Sequence, residues 1–259
     1  MASKHREVQN SDDVLFTKQM REATREVHSL SDALINAKLG IAMGSNDVWA
    51  EGLLVFYEVF KQLEETMDQH PEVELSQFDI DGIRRTHLFE KDLEYYLGKD
   101  WSKNYTIRPS VQEYKDHLKH LKSTEPVLLL AYAYHMYMGL LSGGQILRKK
   151  RALLSRLKFN PKASYEGLAV TEVTSMPVFK MKKLIADKMN NIALGLDEET
   201  REKLVAESKR VFEFNDKVVR SIEGTSSVAL WKILKLSGFS ILIGISAYLI
   251  KRIWLGALK

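Results

Sequence analysis

No stretch of this 259-residue chain alternates apolar and polar residues over a strand's length, and no Asn-Gly or Asp-Gly turn sits between strand-like runs. Apolar residues recur instead every three to four positions, which predicts an all-α chain. A first helix is expected from Ser11-Asp12-Asp13, a capping cluster with acids in the first turn, carrying Leu15, Met20, Ala23, Val27, Leu30 and Leu34. A second runs from Asp47 to His70, where Pro71 stops it, with the stripe Trp49, Leu53, Phe56, Phe60 and Leu63. A third covers about 83–97 and ends at Gly98; a fourth opens at Pro109-Ser110 and ends near Ser123. The fifth, the most apolar of the body, runs from Glu125 past Lys150. The stretch 157–176, with Pro161 and Gly167, is the least regular, and helices at about 177–194 and 197–222 follow.

Composition narrows the class. With 45% hydrophobic and 28% charged residues the chain is globular, long enough for one sizeable domain or two small ones. It has no cysteine, which excludes disulfides, thiolate metal sites and cysteine nucleophiles. The first residues, MASKHREVQNSDD, lack the apolar core of a secretory signal. The net charge of +4 is unevenly spread. Residues 225–259 hold five basic and no acidic residues, so the remaining 224 carry 33 basic against 34 acidic groups. The basic surplus belongs to the tail, which argues against a nucleic-acid surface on the body.

That tail follows a short linker, Glu223–Ser227, and contains fifteen uncharged residues, 236–250. They span about 22 Å as a helix, against roughly 30 Å of hydrocarbon. Lys232, Lys235, Lys251 and Arg252 flank them, and Trp231 and Trp254 stand near the two interfaces, which extends the effective span. The expectation is a body at 1–224 and a C-terminal transmembrane anchor at 225–259. A buried or membrane-surface helix is the other reading of the same residues.

Two constellations in the body bear on chemistry. Arg21, Arg25 and His28 fall on one helical face. A neutral imidazole ligates iron and guanidiniums pair with carboxylates, the combination that heme presents, although spacing alone fits a solvated basic face better. The fifth helix places Gly139, Gly143 and Gly144 in an apolar run that also holds Tyr134. Each glycine inside a helix costs about 1 kcal/mol relative to alanine. A bare backbone there would admit a large flat ligand or let the helix kink; close helix–helix packing is the plainer alternative. The string Leu141-Ser142-Gly143-Gly144-Gln145 also matches a signature of ABC-transporter ATPases, but the chain has no phosphate-binding G-x-x-x-x-G-K-[ST] loop. His117 and His120 lack an acidic partner in sequence, Glu64-Glu65 and Glu198-Glu199 read as solvated surface, and Arg148–Arg151 reads as a solvated charge run, with a docking patch for an acidic protein as the other reading.

Taken together, Glu22-Ala23-Thr24-Arg25-Glu26-Val27-His28, Thr124-Glu125-Pro126 leading to Tyr134, and Gly139 with Leu141–Gln145 resemble the eukaryotic, microsomal heme oxygenase family. Glu166–Ala169 and Lys188–Asn190 are weaker matches, and the similarity spans about Lys18 to Asn215. The resemblance implies a single-domain helical fold that sandwiches heme. His28 would be the iron ligand, with Asp32 as the acid beside it. Arg21, Arg25, Tyr134 and Lys182 would contact the propionates. Gly139, Gly143, Gly144 and Asn215 would form the catalytic side. The implied reaction uses O2 and electrons from NADPH, through NADPH–cytochrome P450 reductase, to make biliverdin, carbon monoxide and ferrous iron. Biliverdin reductase would take the product, and the anchor implies the endoplasmic reticulum membrane with the body facing the cytosol.

The sequence departs from that family's pattern at one neighbourhood. Leu140 stands for an aspartate, Met136 for an arginine and Phe60 for a tyrosine, while Asn215 is retained; Ala186 replaces a second basic propionate contact. Polar groups there would hold an ordered water that steers proton delivery, and leucine cannot hold it. The expectation is slow oxygenation with relaxed regiospecificity. The other reading is a heme-binding protein of the same fold used for storage, sensing or transfer.

Overall fold

The computed structural model describes residues 15–42, 44–69, 74–103, 105–157 and 165–224, with backbone alone at 39–42 and 155–157. Among these, every regular element is helical. The order is α1 (Phe16–Ala23), α2 (Arg25–Ala42), α3 (Asn46–Gln69), α4 (Thr86–Leu97), α5 (Pro109–Thr124), α6 (Leu129–Gly139), a π segment (Leu140–Gly144), α7 (Gln145–Leu157), α8 (Val178–Leu194) and α9 (Glu198–Arg220), with short 3-10 turns between. The expected caps at Ser11–Asp13 and the expected anchor at 225–259 lie outside the described residues. Among the described residues no helix is long and apolar enough to cross a membrane.

α6 is the hub. Leu129 to Tyr134, Met136 and Tyr137 are all buried, so this helix is apolar on every side and must sit inside a shell of others. It packs on α9, on α8, on the π segment and, less extensively, on α3 and α5. The amphipathic α3 and α9 close the shell, and α3 carries the longest buried stripe, from Val48 to Met67. Gly98 ends α4 at φ +85, where a side chain would strain the backbone. Gly167, at φ +68, lets the 165–171 turn lie against α4: a Cβ there would come within 2.5 Å of the Tyr96 hydroxyl.

Three local readings are corrected. The first helix is two helices, broken at Thr24, whose φ of −99 and ψ of 1 leave the helical region. Its hydroxyl donates to the Met20 carbonyl at 2.8 Å, a back-bond that competes with the helix ladder. Glu64 is not solvated, unlike Glu65 beside it. Its carboxylate accepts the Arg85 N–H at 2.6 Å, the Thr86 N–H at 3.0 Å, the Thr86 hydroxyl at 2.6 Å and the Tyr137 hydroxyl at 3.1 Å. It thus supplies the N-terminal partners that α4 needs, from another helix. The Arg148–Arg151 run is not a free patch. Arg148 donates to the Leu168 carbonyl, and buried Arg151 reaches Asn46 and lies over the Trp49 and Tyr96 rings. Only Lys149 and Lys150 face outward as expected.

Candidate functional site

The π segment answers why three glycines stand so close together. The long helix expected from Glu125 is interrupted at Leu140–Gly144, a π segment whose wider hydrogen-bond spacing separates α6 from α7. A Cβ added at Gly139 or Gly143 would meet nothing within 4 Å. Helix–helix packing therefore does not explain these two glycines; they present bare backbone to open space. Gly144 differs: a Cβ there would touch Thr171 Cγ2 at 3.5 Å and Leu140 Cγ at 3.6 Å, ordinary packing. The segment is held from α7, where Gln145 donates to the Thr171 carbonyl at 2.6 Å.

His28 lies one turn into α2, exposed to solvent. Asp32, one turn on, sets its carboxylate 3.2 Å from Nδ1. A carboxylate on Nδ1 fixes the ring and leaves Nε2 as the free donor nitrogen, the arrangement that orients metal-ligating histidines. The ring packs on Phe212 of α9, centroid to centroid 5.2 Å, and α2 as a whole lies along α9.

The candidate cations lie on α1, α2 and α8. The Asn190 side chain of α8 accepts the Thr17 N–H at 2.9 Å, which ties α1 to α8. Tyr134 of α6 is buried; burial raises its hydroxyl above the usual range, against Arg21 and a hydrogen bond with Thr17, which pull it down. Arg21 therefore acts on the Tyr134 hydroxyl. Arg21 and Arg25 are exposed and form no ion pair among the described residues. Lys182 of α8 donates to the Ser142 hydroxyl at 2.8 Å, so its ammonium already sits at the glycine strip. Ala186, one turn on along α8, offers no charge.

The apolar replacements are absorbed into the core. Met136 accepts the Tyr114 hydroxyl at 3.8 Å through sulfur. Phe60 packs between Phe89 and Tyr137 at 5.3 and 5.6 Å. Asn215 keeps its place on α9, but its Oδ1 is buried without a partner. His135 is the residue that sequence reasoning passed over. Its Nε2 is likewise sealed and unpartnered, and its ring packs on Phe212 at 5.1 Å. Burial, with His28 adding to it, pushes its imidazole down to about 3, so it is neutral at physiological pH. Its position four residues before Gly139 was a signal in the sequence. His117 proves structural: Nε2 lies 3.0 Å from Glu207, which also takes the Tyr132 hydroxyl, an acid that α9 supplies from 90 residues away.

Imidazole, cations and bare backbone are thus set on α1, α2, α8 and the segment between α6 and α7. A family model for heme oxygenase matches residues 14–221. The chain belongs to the heme oxygenase family. A family member from Synechocystis sp., heme oxygenase 2, is 30% identical over 221 residues, covering 83% of this chain and 86% of that one. The heme oxygenase of Takifugu rubripes is 29% identical over 213 residues, with 80% and 74% covered. The crystal structure of heme oxygenase-1 from Synechocystis sp., in complex with heme, superposes with a TM-score of 0.73 at 28% identity, covering 88% of this chain and all of that one. The all-α heme oxygenase fold expected from the motifs is therefore present.

Proposed function

We propose that this member of the family binds heme as its substrate between the His28 helix and the glycine strip, and cleaves it oxidatively to biliverdin, carbon monoxide and ferrous iron. The observation that carries the reading is the open space before Gly139 and Gly143. Glycine is a costly residue inside a helix, and here no neighbouring side chain accounts for it. A flat macrocycle needs such a bare face. Each other group fits the same ligand. Nε2 of His28 would take the iron while Asp32 holds the ring. Lys182, Arg21 and Arg25 would pair with the propionates and Tyr134 would hydrogen-bond to them. Gly144 keeps the π segment packed, and Asn215 is the retained polar group on the reaction side. Heme supplies the iron chemistry; NADPH, through a cytochrome P450 reductase, supplies the electrons.

The polar neighbourhood bears on how well the reaction runs. Leu140, Met136 and Phe60 offer no partner to Asn215, whose orphaned Oδ1 supports slow turnover with loose regiospecificity. The same observation supports a second reading, heme storage, sensing or transfer with oxygenation weak or lost. In this proposal residues 1–224 are the heme-binding body and 225–259 the linker and anchor, a tail inserted in the endoplasmic reticulum membrane with the body cytosolic. Biliverdin reductase would take the product.

The experiment titrates the full chain, in detergent, with hemin and follows the Soret band. A stoichiometric complex whose spectrum changes in His28→Ala is expected; an identical spectrum in that variant removes His28 as the ligand. Adding reductase and NADPH in air then yields biliverdin and carbon monoxide if the chain is an oxygenase, and unchanged heme if it only binds.

A further inference from the structure

The outward face of α7 is apolar and cationic at once. Its 13 residues hold five basic and no acidic side chains. Two of the five turn inward: Arg148 donates to the Leu168 carbonyl and pairs with Glu172 at 3.4 Å, and Arg151 is buried. Among the α7 side chains described, the exposed ones are Ile146, Lys149, Lys150 and Leu153. Their spacing of i, i+3, i+4 and i+7 is one helical face. Ile146 is 56% exposed and Leu153 58%. Lys149 and Lys150 form no ion pair among the described residues. A lone exposed leucine is ordinary, but two large apolar residues bracketing a lysine pair form the pattern of a helix lying on a lipid surface.

The fold sets this face beside the start of the tail. A Cβ at Gly224, the last described residue, would come within 3.2 Å of Val48 Cγ2. Arg151 of α7 donates to the Ser45 carbonyl at 3.2 Å and lies over the Trp49 ring at 5.3 Å. The point where the tail leaves the body and the middle of α7 therefore meet at the N-terminal end of α3. Eleven residues, 225–235, separate Gly224 from the uncharged stretch at 236–250. Such a length reaches about 16 Å as a helix and at most about 40 Å extended. A tail inserted in a bilayer thus holds this end of the body, with α7 on it, close to the lipid surface.

We propose that the exposed face of α7 docks on the anionic surface of the membrane that the tail enters. Ile146 and Leu153 sit at the acyl boundary, and Lys149 and Lys150 reach the anionic headgroups. The inference rests on the reading of 225–259 as a membrane anchor. Charge decides against the other occupants. The tail has five basic and no acidic residues, so the lysines repel it from this face. A second copy packed on the same face by two-fold symmetry would set lysines against lysines. An acidic protein surface would satisfy the lysines but leave Ile146 and Leu153 against charge. An anionic bilayer takes both, because lysine stems extend along apolar surface while their ammonium groups stay among the headgroups.

The chain has no cysteine, so one introduced cysteine carries the only label. The test places a fluorophore at Ile146→Cys, Leu153→Cys or Glu202→Cys in the full chain, reconstituted in vesicles of phosphatidylcholine with about one-third phosphatidylserine. Glu202 is exposed near the start of α9, a 23-residue helix about 34 Å long whose other end leads to Gly224. Lipid carrying a headgroup nitroxide should quench the labels at 146 and 153 and spare the one at 202. Lys149→Glu with Lys150→Glu should lower the ratio of docked to undocked protein about tenfold, the equivalent of about 1.4 kcal/mol. High salt should weaken docking in the same direction, a readout that needs no charge-reversed variant. Labels at 146 and 153 quenched no more than the one at 202 overturn the proposal, as does quenching indifferent to both charge reversal and salt. Shielding of these labels from aqueous iodide in neutral detergent, before any vesicle is present, assigns the face to the tail or a second copy and overturns it too. So does shielding that appears only when an acidic protein is added. Failure of the full chain to float with vesicles overturns the anchor reading, and this inference with it; flotation with positions 146 and 153 in water overturns the docking alone.

Discussion

Gly139 is unfavourable for the helix and is retained at its end, so the two requirements can be separated by one methyl group. Gly139→Ala should stabilise the unliganded chain by about 0.5–1 kcal/mol, because alanine loses less backbone entropy and its Cβ meets nothing within 4 Å. The same Cβ projects into the strip, so hemin affinity should fall; thermal unfolding and a Soret titration on the same samples check both halves. A variant that is stabilised and binds hemin as before would break the link between bare backbone and substrate. Asp32 acts at the same scale. Among the described residues its carboxylate pairs with Nδ1 of His28, at 3.2 Å, so Asp32→Ala should leave the fold intact and loosen the ring. About a tenfold loss of hemin affinity is expected, the lower end for removing the partner of a ligating histidine. An unchanged dissociation constant would make the pair incidental.

At the scale of elements, helix ends are secured by residues distant in sequence. The 79–85 loop is pinned to α3 by Arg84, which donates to both Asp79 oxygens at 2.7 and 2.8 Å and to the Glu64 carbonyl at 2.9 Å. The Arg84 guanidinium holds the Asp79 carboxyl below its ordinary value, against the opposing effect of partial burial. For a carboxylate whose folded value is depressed, the stabilisation is complete above the unfolded value, about 3.9, and is lost as pH falls through the folded one. Asp79→Asn should therefore lower stability at neutral pH and flatten the decline below about pH 4. The wild type and variant should converge in acid, read as urea midpoints across pH. A constant gap down to the lowest pH would mean that the charge of Asp79 contributes nothing. The π segment between α6 and α7 follows the same logic from the other side: contacts from Thr171 to Gln145 and around Gly144 hold a conformation that its own local sequence does not favour.

For the whole molecule the question is how a heme oxygenase fold performs with Leu140, Met136 and Phe60 at the proposed reaction side. Met136 and Phe60 are committed to the core through Tyr114, Phe89 and Tyr137, so restoring polarity there would disturb packing. Leu140 is only partly buried, and its change is cheaper. Leu140→Asp should raise the rate of biliverdin formation, by about tenfold or more if it restores an ordered proton-delivering water, while the wild type gives a mixture of isomers by chromatography. A single isomer formed briskly by the wild type would contradict the expectation drawn from Leu140 and Ala186. With its arginines engaged by the 165–172 turn and α3, the Arg148–Arg151 run leaves only Lys149 and Lys150 as its outward charges.

Periodicity and punctuation alone determined the all-α class and most helix limits. Those signals are local: apolar spacing marks which face is buried, while Pro109, Gly98 and the break after Leu194 mark ends. His28, Tyr134, the glycines and Lys182 were nominated as site residues by the family resemblance their motifs carry, since spacing alone fitted a solvated face and helix packing as well. What sequence could not decide was anything requiring a partner from another helix. Glu64 looks solvated until Arg85, Thr86 and Tyr137 close around it, and Arg151 looks like surface charge until α3 covers it. The glycines at 139 and 143 gained their meaning the same way, because only the packed fold shows that no neighbour fills the space before them. His135 was legible as a residue of that helix, but its unpartnered nitrogen exists only once the surrounding helices exclude water. Burial is a property of the assembled chain, and it is burial that converts an ordinary polar side chain into a costly one.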